Sequence, residues 1–140
     1  VAPGRVVKRR VSPKALKAMK ERVREITSRS GGRSIAQVVA ELRNYLGGWR
    51  AYFRLADTPG VFADVDKWLH RRLRMLHLRQ WKRGRTTYRE LRRRGVGGVA
   101  LGMAARFARS RWHVAGHKAL HIALPGRYFD SLRVPRLGPS

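Results

Sequence analysis

Between Lys67 and Arg94 the leucines Leu69, Leu73 and Leu76 recur at helical spacing beneath twelve Lys/Arg and a single acid, Glu90. A charge block that serves only solubility or disorder has no use for a leucine stripe, so this stretch folds as a helix whose cations stand on an ordered surface. Trp68, Trp81 and Tyr88 are set among those cations. Cations mixed with aromatics point to phosphate and base contact.

The same 3–4 spacing organises the rest of the chain. Ser12 as N-cap and Pro13 at the first helical position, followed by Leu16, Met19, Val23 and Ile26, predict a first helix that ends at Gly31-Gly32 and carries Lys14, Lys17, Lys20 and Arg24 outside. Ser34 with Gln37 makes a capping box for a second helix, whose stripe of Ile35, Val38, Val39, Leu42, Tyr45, Leu46, Trp49, Tyr52 and Phe53 is read through Gly47-Gly48. Glycine costs roughly 1 kcal/mol inside a helix, so this pair is expected at a close crossing with a neighbour. Thr58 and Pro59 open the third helix, with Asp64 and Asp66 in the early turns, where the dipole favours negative charge. Thr87 with Glu90 predicts a second capping box and a short helix ending at a left-handed Gly95. A small helix over Val99–Ala108, another through Lys118, Leu120 and Leu124, and a turn around Tyr128, Phe129 and Leu132 follow. Pro3-Gly4 and the run RVVKRRV read as a strand or hairpin remnant. The expected fold is all-α, a small bundle of three main helices plus short C-terminal ones. Residues 1–12 form a linker or strand, 13–137 the domain and 138–140 a tail.

The 140 residues hold 33 Lys+Arg against 8 Asp+Glu, a net charge of +25. A compact body so charged repels itself unless a polyanion neutralises it, and nucleic acid is the expected partner. Lipid binding asks for a broad exposed apolar face, whereas these stripes are used internally, and no run approaches the ~20 apolar residues of a span. No membrane partner is expected. The start lacks the apolar core of a signal peptide, and the absence of Cys excludes disulfides, Cys-type zinc sites and thiol chemistry, so a cytoplasmic location fits.

His113, His117 and His121 form H-x3-H-x3-H, a spacing at which helical histidines can share zinc. Gly116 interrupts that helix and no carboxylate stands near, so neither metal nor cofactor is expected. His70 and His77 are expected to hydrogen-bond RNA or surface neighbours. The acids are explained as caps and local ion-pair partners rather than a converging two-metal site, so the chain alone should catalyse nothing.

Three strings carry more than composition: NYLGGWRAYFRLADTP, DKWLHRRLRMLHLRQWKRGRTTYRELRRRGV and ALHIALPGRYFDSL. Their order and spacing resemble the maturase-specific region of group II intron reverse transcriptases, with its L-x-G-W-x-x-Y-F core, D-x-W-[IL]-x-R-R-[IL]-R helix, Q-W-K-R-x-x-T segment and closing A-L-P/T-N-x-Y-F motif. The likeness runs from about Pro13 to Leu137. It implies a helical thumb, also called the X or maturase domain, that grips intron RNA during splicing and clamps the template–primer duplex in a parent RNA-directed DNA polymerase with palm and fingers. The Y-x-D-D motif of that polymerase is absent, as are the Cys ligands of the endonuclease found in some relatives. The start at Val1 reads as a piece of a longer protein. The alternative is a free-standing basic module that binds RNA or DNA without a polymerase.

Arginine's planar fork suits bidentate phosphate contact better than lysine's point charge. The expected RNA contacts are Arg71, Arg72, Arg74, Arg79, Lys82, Arg83, Arg85, Arg89, Arg92 and Arg93, with Lys14 and Lys17 as a second strip. Trp49, Tyr52 and Phe53 are expected in the core, and Trp81, at a helix end between Gln80 and Lys82, is the candidate for stacking on a base.

Overall fold

A computed structural model describes residues 12–28, 32–49 and 59–138. Among the described residues the chain forms eight helices and no strand: α1 (Pro13–Ser28), α2 (Ile35–Gly47), α3 (Pro59–Trp81), α4 (Gly84–Arg93), α5 (Gly98–Arg106), α6 (Arg111–Ala115), α7 (Lys118–Ala123) and α8 (Gly126–Ser131). The all-α expectation holds. The strand remnant, Thr58, Tyr52 and Phe53 lie outside the described residues.

α3 is the axis of the structure. Leu73, Arg74, Met75, Leu76, His77 and Leu78 are six consecutive buried residues, so this part of the helix is enclosed on all sides rather than along one stripe. α1, α4 and α6 pack on it, α2 joins α1, α5 lies against α4, and α7 rests on α4 and α5. Met19, Val23 and Ile26 of α1, Val38, Val39, Leu42 and Leu46 of α2, and Phe129 of α8 close the core around its leucines.

Local chemistry sets most helix ends. Ser12 Oγ accepts the Ala15 N–H at 3.0 Å, and at α2 both halves of the Ser34–Gln37 capping box are made. Gly95, at φ +92°, ends α4: its own N–H reaches Arg92 O and the Val96 N–H reaches Leu91 O, the paired bonds of a left-handed C-terminal turn.

Three local expectations are corrected. α2 stops at Gly47 with Gly48 as its C-cap, so Gly47-Gly48 terminates the helix that the stripe was expected to carry through it. α4 starts at Gly84 with Arg83 as its cap, so Thr87 lies fully buried inside the helix and Glu90 pairs with Arg93 and Arg94. The cause is tertiary: a Cβ on Gly84 would stand 2.8 Å from Ala105 O, and only glycine lets α4 begin so close to the end of α5. Asp66 is no simple dipole partner. Its carboxylate accepts the Leu137 and Gly138 N–H groups, each at 2.8 Å, and seats the C-terminal segment on α3.

Candidate nucleic-acid interface

The twelve cations between Lys67 and Arg94 divide into two populations. Of those on α3, Lys67 is exposed near its start, while the four arginines lie where other helices cover it and each guanidinium makes a hydrogen bond within the fold. Arg74 is buried, donates from Nε to Leu124 O at 2.9 Å and lies over the Phe129 ring. It is a core residue, and its expected phosphate contact is corrected on that ground. Arg71 donates from Nε and Nη2 to Trp112 O at 3.0 and 2.9 Å, with its guanidinium 4.2 Å from the Trp112 ring. A Cβ on Gly116 would touch that guanidinium at 3.1 Å, so the glycine after α6 makes room for it. Arg72 donates to Thr27 Oγ1 at 2.7 Å and Ser28 Oγ at 3.0 Å, and Arg79 to Ser28 O at 3.1 Å. These side chains fasten α3 to its neighbours. Burial lowers the pKa of Arg72 and Arg74 from the usual guanidinium value.

The second population begins where α3 ends. Lys82 takes φ +59°, its neighbour Arg83 caps α4, and the chain turns so that Lys82, Arg83, Arg85, Arg89 and Arg92 are all exposed. None of these five has an ion-pair or hydrogen-bond partner for its side chain among the described residues. Arg93 is exposed but shares Glu90 with Arg94, a pairing that holds the Glu90 carboxyl below its usual range through the Arg94 hydrogen bond. Lys14 and Lys17 are exposed on α1. Thus the structure brings Lys82 to Arg92 together on one short helix and its entry turn, while Arg71, Arg72, Arg74 and Arg79 are distributed among internal contacts.

Trp81 packs at the margin of the core, with the Arg94 guanidinium 5.3 Å from its ring centroid and the His77 ring edge-on at 6.0 Å. A cation already lies over it.

His70 and His77 are corrected too. His77 is buried, with Nδ1 2.8 Å from Leu73 O and Nε2 3.0 Å from the Tyr128 hydroxyl. Because a carbonyl can only accept, Nδ1 carries the proton and Nε2 accepts the Tyr128 O–H. His70 stacks on Phe129 at 4.8 Å. Burial pushes both imidazoles down to a pKa of about 4, helped at His70 by Arg74 and Arg136 and at His77 by Arg94. Among the other histidines, His117 caps α7 by accepting the Ala119 N–H through Nδ1 at 3.1 Å.

Several roles were not foreseen from the sequence. Trp112 as the seat of Arg71 and Asp66 as the anchor of the tail depend on partners 41 and 71 residues away. Exposed Arg106, Arg109, Lys118, Arg127 and Arg133 extend the positive surface into the last third of the chain. Their signal was present: no Asp or Glu occurs between Glu90 and Asp130.

No helix among the described residues is long and apolar enough to cross a membrane. No curated protein is similar enough to the chain to count as a match. The family model of the group II intron, maturase-specific domain does match, over residues 16–95, from the first turn of α1 to the glycine that ends α4. That span is more than half of the sequence and holds both the enclosed α3 and the exposed α4 cations, and the chain belongs to the family of group II intron maturase-specific domains.

Proposed function

We propose that the chain binds structured group II intron RNA to promote splicing, and that Lys82, Arg83, Arg85, Arg89 and Arg92 make its main phosphate contacts, with Lys14, Lys17 and Arg93 as flanking cations. The observation that carries this is the division of the arginines: those on α3 are used by the fold, while this group is exposed and has no internal partner among the described residues. Unspent cations on a rigid helix lose little freedom on meeting a phosphate, and their forks suit bidentate contact. Recognition rests on shape and backbone, because the deep narrow major groove of A-form RNA denies side chains the base edges.

In a parent reverse transcriptase the same unit acts as the thumb beside palm and fingers and clamps the template–primer duplex. The chain by itself contributes binding and no chemistry; offered metal ions, deoxynucleotides and a primed template, it extends nothing.

The test compares the chain with its R85Q/R89Q/R92Q variant in binding a group II intron RNA. The variant is expected to bind at least ten-fold more weakly at moderate salt with unchanged helical content. Equal affinity of the two would remove the α4 assignment.

A further inference from the structure

The seam between α1 and α3 holds a second gathering of cations, and it is organised around an indole. Arg24, Lys20 and Arg72 lie 5.4, 5.6 and 5.7 Å from the centroid of the half-buried Trp68 ring. α1 and α3 run parallel here, since Lys20 and Arg24 face Trp68, Thr27 and Ser28 meet Arg72, and Ser28 meets Arg79. The cations therefore form a row. From Trp68 to Arg79 it extends roughly 16 Å along α3.

We propose that this row, Lys20, Arg24, Arg72 and Arg79 around Trp68, is a pre-ordered strip for the phosphate backbone of a nucleic-acid strand, separate from the α4 face. The proposal rests on the RNA-binding reading and adds a second contact surface to it. α4 packs on α3 and α5, whereas the strip lies between α1 and α3, so the two surfaces belong to different helix pairs. A domain with both can hold two segments of one folded RNA.

Geometry fixes the strip in advance. Thr27 Oγ1 donates to Val23 O at 2.8 Å and accepts from Arg72 Nε, so the hydroxyl that aims Arg72 is itself held. Among the described residues, Arg72 Nη1 and Arg79 Nε and Nη2 have no hydrogen-bond partner. Lys20 and Arg24 make no hydrogen bond or ion pair with a side chain among the described residues. On α1, Glu25 pairs with Arg22 at 3.1 Å. Like charges are crowded here, and the guanidinium of Arg72 has its pKa lowered first by burial and then by Arg24 and Arg79. Repulsion of this kind, held in place by hydrogen bonds and an aromatic platform, is relieved when a polyanion lies along it. The ordering entropy of Arg72 and Arg79 has been spent in folding, so the strip binds with less further loss.

The test uses the full chain, intron RNA and a salt series, with K20Q/R24Q and the charge-conserving R24K as variants. K20Q/R24Q is expected to weaken binding roughly ten-fold and to flatten the log–log salt slope by about two, one unit per lost phosphate contact, while R24K keeps the wild-type slope. Melting of K20Q/R24Q should stay close to the wild type, since the lost cation–π contacts with Trp68 are offset by relief of the repulsion on Arg72. Unchanged slope and affinity in K20Q/R24Q, with binding still lost in R85Q/R89Q/R92Q, would overturn the strip and leave the α4 reading standing. A wild-type chain without salt-dependent RNA binding would overturn both.

Discussion

A guanidinium that donates to a buried carbonyl belongs to the core whatever its charge, and Arg74 is such a group. Replacing it by Ala leaves Leu124 O without its donor and removes a packed stem, so Arg74→Ala should cost about 2–3 kcal/mol in urea unfolding. Arg85 is exposed and has no partner among the described residues, so Arg85→Ala should change stability by no more than about 0.5 kcal/mol while reducing the salt slope of RNA binding by about one. If the two variants exchanged phenotypes, the division of the arginines would be wrong. His77 supplies a pH dependence of known sign. Its imidazole has a pKa of about 4 in the fold and near 6.5 when unfolded, so the unfolded chain binds more protons between those values. Stability from His77 is complete above about pH 6.5 and is lost as the pH falls toward 4, by on the order of 3 kcal/mol. His70, whose imidazole is also held at about 4, acts in the same direction. The loss of stability between pH 7 and pH 4.5 should be smaller in His77→Phe than in the wild type; equal losses would show that His77 does not titrate in this way.

At the scale of elements, the stripes and caps of α1 and α2 were legible because they are local: Ser12, Ser34 and Gln37 act within three residues of themselves. The exposed face of α3 was not legible. Its Arg71, Arg74 and His77 read as a solvated face only until α6 and the segment from Leu124 to Phe129 cover them, and no spacing within Lys67–Arg94 announces that cover. Met75 and Leu78, both buried and both off the Leu69–Leu73–Leu76 line, were the sequence sign of an enclosed helix. Thr87 and Glu90 imitate a capping box four residues after the real N-cap, Arg83, while the start is decided by Gly84 against Ala105. Gly84→Ala should therefore cost about 1–3 kcal/mol, as a Cβ 2.8 Å from a carbonyl oxygen forces α4 and α5 apart. Asp66→Asn tests the tail: an amide has one acceptor oxygen where the carboxylate has two, so the Leu137 and Gly138 amides should lose protection from hydrogen exchange. Protection equal to wild type would contradict the clamp.

For the whole molecule, the relevant quantity is a net charge of +25 on 140 residues, gathered on α4, along the α1–α3 seam and over the acid-free stretch between Glu90 and Asp130. The family match, 16–95, covers the first two of these regions. Reading the cation block from sequence pointed to a polyanionic partner, yet not to which cations remain available, because availability depends on the tertiary contacts that enclose α3. The most direct test of the central claim is the salt dependence of intron RNA affinity for the wild type and for R85Q/R89Q/R92Q. About six phosphate contacts predict a wild-type log–log slope near −4 to −5, and the three substitutions should flatten it by about two to three. A slope that is flat in the wild type, or unaltered in the variant, would contradict the account.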